Sequence, residues 1–223
     1  MVEMKQLLVL RLEGALQSWG DNAKWDFRDS GTIPTKSGIV GLLGCAMGEE
    51  RNSPVLAELA QAMTVAVRAD RPGVKFVDFQ TVQGNPLRTA DGGKRNNNTF
   101  ISPHAYLQDA CFTVFVDTTE EWRQRIVSAL EAPKWCMYLG RKNCVPSRPI
   151  QAKLFACKNM KAALEQYPPA ERAEKIMTYE SEIADSATAS LLRSDDLVGK
   201  GRQFGLRRVW RGTVEPRGGA ECT

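Results

Sequence analysis

Glycine recurs at every third position, Gly38, Gly41 and Gly44, within the stretch Pro34-Thr-Lys-Ser-Gly-Ile-Val-Gly-Leu-Leu-Gly44. The residues around it otherwise read as a helix from about Ser37 to Met47. Ile39, Val40, Leu42, Leu43, Ala46 and Met47 supply apolar faces, and Thr35 or Ser37 can cap the first turn. A glycine inside a helix costs about 1 kcal/mol against alanine. Three along one side therefore call for something that approaches closely. Two partners satisfy that demand: a sheet packed tightly on the helix, or an anion at the helix N-terminus beside Lys36 and the free amides.

Lys36-Ser37 next to glycine also invites comparison with a nucleotide-binding loop, and spacing excludes it. That loop needs G-x-x-x-x-G-K-[ST], so that the second glycine lets amides wrap the phosphates. From Gly31 the gap is one residue short, Thr35 stands where the glycine belongs, and Pro34 removes an amide donor. No nucleotide cofactor is expected.

Around this helix, apolar runs set out an alternating plan. Leu7 to Leu12 reads as a strand, Val55 to Met63 as a short helix, and Thr64 to Ala69 and Val74 to Val82 as strands flanking a turn at Arg71-Pro72-Gly73. Ala110 to Val116 is a further strand. Thr119 to Leu130 is a helix with Trp122, Ile126 and Leu130 on one face and Thr118 or Thr119 as cap, and Lys134 to Leu139 reads as a closing strand. The order β-α-β-β-α-β is the ferredoxin-like plan of RNA-recognition domains, an α+β class. Between Gly84 and Gln108 the chain turns rich in Gly, Asn and basic residues, a long excursion from the body. After Val145 the patterns shorten: a strand near Lys153 to Cys157, a helix near Met160 to Gln166, and strands near Ile176 and Val209. Residues 1–144 are thus expected to form the main domain, with the excursion at about 84–108, and 145–223 a small, mainly β extension.

The 223 residues can bury one sizeable core, and a net charge of +4 permits a polyanionic partner without demanding one. No apolar stretch reaches the ~18 residues of a membrane span, and no signal peptide precedes the first strand. Six scattered cysteines without a C-x-x-C, and one histidine, argue against a zinc site and for reduced thiols in a cytoplasm. No metal site is expected.

No catalytic set assembles either. His104 is the lone histidine, with Tyr106 and Lys94 its local candidates for general acid–base work in metal-free RNA cleavage. The basic residues are grouped more tellingly. Arg88, Lys94 and Arg95 lie in the excursion, and Arg141 and Lys142 follow the expected closing strand. Arg202, Arg207, Arg208 and Arg211 sit beside Phe204 and Trp210. Cations interleaved with aromatics suit a single nucleic-acid strand, although an ordinary solvated surface has the same composition. In "LRLEGALQSWG", Trp19 is placed to lid the core, while Gln17 and Ser18 sit where a loop could hydrogen-bond a base or ribose.

Taken together and in order, "LRLEGALQSWG", "PTKSGIVGLLG", "TVQGN", "YLQDACFTVFV", "YLGRKNC" and "RQF" resemble the CasD family, the crRNA 5′-handle-binding subunits of type I-E CRISPR Cascade complexes within the RAMP superfamily. The resemblance runs from the first strand to about Trp210. It implies a ferredoxin-like domain with a protruding β-hairpin thumb at about 84–108 and a small C-terminal extension. It further implies a non-catalytic role that caps the crRNA 5′ handle. The thumb would contact the adjacent Cascade backbone subunit, the large subunit would be a further partner, and target DNA would be engaged indirectly through the complex. Carried onto this chain, Lys36, Ser37 and Gly38 become handle contacts, and Arg141 and Lys142 phosphate contacts. A related type I-C branch cleaves precursor RNA with a Tyr/Lys/His set. Here Pro103, not Lys, precedes His104, which counts against that activity.

Overall fold

Leu7, Leu8, Val9 and Leu10 are all buried, because the first strand lies inside a sheet covered on both faces. The computed structural model describes residues 4–20, 27–89, 91–95, 98–185, 189–199 and 203–216. Within them the strands are β1 (Lys5–Glu13), β2 (Leu16–Gln17), β3 (Met63–Arg71), β4 (Val74–Gln83), β5 (Thr99–Gln108), β6 (Cys111–Thr118), β7 (Ala152–Cys157), β8 (Met177–Ser181), β9 (Ala189–Leu197) and β10 (Phe204–Val214). The helices are α1 (Lys36–Met47), α2 (Pro54–Ala62), α3 (Glu120–Glu131) and α4 (Met160–Gln166). The class is α+β. A seven-stranded sheet runs β7-β1-β6-β3-β8-β10-β9, every pair antiparallel, and a three-stranded sheet runs β2-β5-β4.

Alternation along β1 sorts its side chains between two cores. Leu8, Leu10 and Leu12 join α1, α2 and α3 in the larger cluster, while Leu7 and Val9 join Met160, Ala163 and Leu164 of α4 in the smaller. Helix starts fall at capping side chains. Thr35 accepts from the Gly38 amide at 3.1 Å, and Ser53, Thr119 and Asn159 cap α2, α3 and α4.

Three expectations are corrected. Residues 134–139 are not a strand: the place beside β1 is taken by β7, whose register runs Lys5↔Cys157 to Leu10↔Ala152, and the loop that precedes it keeps Trp135 exposed. The Val74–Gln83 strand does not belong to the large sheet. It forms with β5 a hairpin paired from Val74↔Gln108 to Gln83↔Thr99, so much of the 84–108 excursion is itself a strand. Val74, Val77, Phe79, Val82 and Ile101 on this hairpin are exposed. Finally, β9 adds a strand that the apolar pattern does not announce, because its inward positions are Arg193 and Asp195. Among the described residues no helix is long and apolar enough to cross a membrane.

A buried ion pair fastens the smaller core. Arg68 and Asp70 are fully buried; Arg68 Nε donates to Asp70 Oδ1 at 2.7 Å, and Nη1 donates to the carbonyls of Leu164 and Tyr167 at 2.7 and 2.9 Å. Asp70 also accepts from Thr113 Oγ1 and the Ala170 amide. Truncating one partner strands the other charge. Arg68→Ala should lower Tm by on the order of 10 °C in thermal denaturation, and an unchanged Tm would show that the pair holds nothing.

Candidate nucleic-acid interface

A cleft of about 1040 Å³ opens between α1 and the loop from residue 133 to 143. From α1 it is lined by Ser37, Gly38, Gly41 and Cys45 among others, and from the loop by Trp135, Met137 and Tyr138. Cations outnumber carboxylates along it: Arg28, Arg51, Arg141 and Lys142 against Asp29 and Glu49. Both carboxylates have partners of their own, Asp29 pairing with Lys75 at 3.3 Å and Glu49 accepting from Ser53 Oγ at 2.6 Å. Half-exposed aromatics beside an excess of cations over carboxylates form a surface suited to a single-stranded polyanion.

The three glycines of α1 divide between packing and opening. A Cβ at Gly38 would lie 2.9 Å from Trp19 Cε3, and one at Gly44 would collide with Leu56 Cδ2. Tight packing explains both. Gly41 is exposed and a Cβ there would meet nothing within 4 Å among the described residues, so its missing side chain leaves part of the cleft wall bare.

The residues from the loop after β1 prove to be framework. Gln17 is fully buried; its Nε2 donates to the Leu12 and Ala110 carbonyls, and its Oε1 accepts from Trp19 Nε1 at 3.0 Å. Ser18 donates to the Ala105 carbonyl at 3.2 Å. Trp19 is 1% exposed, its indole laid across Gly38. Their polar groups are committed to holding the loop.

Lys36 also turns inward. It is 5% exposed, and its ammonium lies 3.3 Å from Glu182 and 3.2 Å from Asp196. Its backbone amide donates to Asp195 Oδ2 at 2.9 Å, so a carboxylate of the chain itself occupies the position expected for an RNA phosphate. Ser37 and Gly38 remain on the cleft wall.

Arg141 has a double role. Nη2 donates to the carbonyls of Arg28 and Asp29, and the guanidinium lies 4.8 Å from the Tyr106 ring centroid. Its Nη1 is buried and makes no hydrogen bond with the described residues. Lys142, the next residue, is exposed. A cation held by the fold thus sits beside an exposed one. Arg88, Lys94 and Arg95 gather away from the cleft at the hairpin tip, where Arg88 bridges to Lys94 and Arg95 lies over Phe100.

The late basic group is corrected. Arg207 forks onto Asp195 at 2.8 and 2.7 Å and reaches Glu182, and Arg211 pairs with Glu180. These charges are answered within the fold because β8 and β9 place carboxylates opposite them. Arg202 lies outside the described residues.

His104 sits on β5 opposite Asp78, with Nε2 3.1 Å from Ser102 Oγ. Tyr106 is 1% exposed and its hydroxyl accepts from Asn143. Lys94 lies beyond the Gln83↔Thr99 end of the ladder, and from His104 to Thr99 alone is about 17 Å at 3.4 Å per residue. Lys94 is therefore not brought to His104, and the Tyr106 hydroxyl is engaged by Asn143. Among the described residues no group of three or more His, Cys, Asp or Glu is placed to hold a metal ion.

Sequence reasoning missed Arg28, Arg51, Trp135 and the separate standing of Gly41. Only the loop fold carries Arg28 and Trp135 to the same cleft, whereas Gly41 carried a signal: an interior glycine whose cost packing does not explain.

The chain matches the family model described as CRISPR-associated protein (Cas_Cas5) over residues 7–210. It is 32% identical over 179 residues to the CRISPR system Cascade subunit CasD of Escherichia coli (strain K12), with 74% of this chain and 79% of that protein covered. It is similar to a solved structure described as a CRISPR RNA-guided surveillance complex, with TM-score 0.75, 29% identity, and 94% and 90% of the two chains covered. A second, described as a Cas protein, gives TM-score 0.74 at 30% identity, covering 96% and 98%.

Because the chain has one histidine, its titration is directly readable. Burial lowers the His104 pKa below 6.5, with Arg141 and Arg28 adding to the shift and Asp78 opposing it. A depressed folded pKa favours the neutral ring, so the stability it contributes is present above the ordinary value and is lost as pH falls through the folded midpoint. The imidazole NMR resonance should titrate below 6.5, and Arg141→Ala should move the midpoint up. A midpoint above that value in the native chain would contradict the assigned surroundings.

Proposed function

Because the chain belongs to the CRISPR-associated Cas5 family, we propose that it is a non-catalytic RNA-binding subunit of a Cascade-type surveillance complex. It holds the 5′ handle of the crRNA in the cleft between α1 and residues 133–143. The observation that carries this reading is the cleft itself, where Trp135 and Tyr138 stand among four cations and two carboxylates, one of them, Asp29, paired with Lys75. Lys142 and Arg51 meet phosphates, Arg141 fixes the wall, and Ser37 and Gly38 line the path. Lys36, Gln17 and Trp19 support the site from within.

The strand order β7-β1-β6-β3, with α1 and α2 before β3 and α3 before β7, supports a ferredoxin-like core. Since β7 pairs with β1, the boundary of that core lies beyond residue 157 rather than at 144, and β8 to β10 form the extension. The β4–β5 hairpin is the thumb. Its exposed apolar residues and basic tip suit contact with the backbone subunit, while the large subunit and target DNA join through the assembled complex in the cytoplasm. His104 has no catalytic part in this scheme, its ring held by Ser102 and its neighbour Tyr106 buried.

Fluorescence anisotropy with a synthetic copy of the 5′ end of the co-purifying crRNA tests the reading. Arg51→Ala with Lys142→Ala should weaken binding and make the log–log salt slope shallower by about 1.4, roughly 0.7 per phosphate on a single strand. Replacing Arg88, Lys94 and Arg95 with Ala should leave that binding nearly unchanged yet impair incorporation into the complex, and the RNA should be recovered uncut. If the hairpin changes abolish binding while the cleft changes do not, the two surfaces are reversed.

A further inference from the structure

Trp135 is 46% exposed, an unusual state for the largest side chain, yet its backbone is held on both sides. The amide of Lys134 donates to the Ala46 carbonyl at 2.9 Å, and Cys45 Sγ donates to the Cys136 carbonyl at 3.3 Å. Both neighbours of Trp135 are thus fastened to the C-terminal part of α1. Gly41 lies four residues before Cys45, about 6 Å along the helix, and lines the same cleft with nothing among the described residues within 4 Å of where its Cβ would be.

We propose that Trp135 and the bare backbone at Gly41 form the two walls of a slot that seats one nucleobase of the handle RNA. This rests on the reading of the cleft as the RNA site and adds what that site recognises. A base suits the slot better than a phosphate. The amides in the middle of a helix are engaged in its own ladder, so Gly41 offers a flat surface without donors, while Trp135 offers a π face. The cations Arg51 and Lys142, assigned to phosphates, come from other segments of the chain than the slot residues. Glycine at position 41 then has a reason that packing withholds: any side chain would intrude on the base. The slot reads stacking rather than an edge pattern, so it discriminates a stacked base from an absent one more than one base from another.

The experiment uses the full chain and copies of the handle RNA carrying 2-aminopurine at each position in turn. One position should be quenched on binding. Trp135→Ala should abolish that quench and weaken binding about 5- to 150-fold, the range for loss of one base–aromatic stack, and Trp135→Phe should retain part of both. Gly41→Leu should weaken binding likewise. Gly41→Ala should raise Tm by about 2–4 °C, as an alanine inside a helix, while weakening binding; a gain in stability with a loss of affinity cannot come from misfolding. Wild-type protein that binds the RNA, with Trp135→Ala and Gly41→Leu binding equally well, overturns the slot and leaves the cleft reading standing. Wild-type protein that binds none of these RNAs overturns the reading on which the slot rests.

Discussion

A carboxylate from the far edge of the large sheet sits at the start of α1, and the geometry of the cleft depends on it. The first amides of a helix have no partner within it and attract negative charge. Here Asp195 of β9 accepts from the Lys36 amide at 2.9 Å and is itself gripped by the Arg207 fork. The Lys36 ammonium completes the cluster through Glu182 and Asp196. Burial still pushes the Glu182 carboxyl up, against the opposing pull of Lys36 and Arg207. The cluster locks α1 to β9 and β10, whose facing ends contribute Leu197 and Phe204 to the cleft. At the helix N-terminus the Lys36 amide is already taken by a carboxylate of the chain itself. The exposed side of the helix is what remains for a ligand.

The opposite wall is built to the same standard. Gly140 adopts φ +89° and lies so close to Ser18 that a Cβ would collide with the Ser18 carbonyl oxygen. The Ser18 amide donates to the Leu139 carbonyl, and Arg141 closes over the carbonyls of Arg28 and Asp29. A loop without regular structure is thereby fixed to the core at several points.

Much of this was legible in the chain, for identifiable reasons. Leu7 to Leu12, Thr64 to Ala69 and Ala110 to Val116 read as strands because both faces of β1 and β6 are covered, and α1 and α3 begin at caps the sequence displays. The misreadings share a cause, which is that long-range pairing decides them. Lys134 to Leu139 has a strand-like composition, but its aromatics face a cleft and the neighbouring sheet position goes to β7. Arg207 and Arg211 look like a polyanion surface until Asp195, Glu182 and Glu180 are seen opposite them. Of the cleft lining, Arg141, Lys142, Ser37 and Gly38 were named from the sequence. Arg51 and Trp135 were not, since no local pattern marks a residue whose role comes from what lies across a cleft.

The central claim is that RNA lies in the cleft and not along the hairpin or the β9–β10 face. Ultraviolet cross-linking of the purified ribonucleoprotein, followed by mass spectrometry of the linked peptides, tests it most directly. The account predicts crRNA 5′-end adducts on the peptides containing Trp135 and Lys142. Adducts confined to the hairpin tip around Arg88 and Lys94, or to the strand carrying Arg208, with the 133–143 segment unmodified, would contradict it.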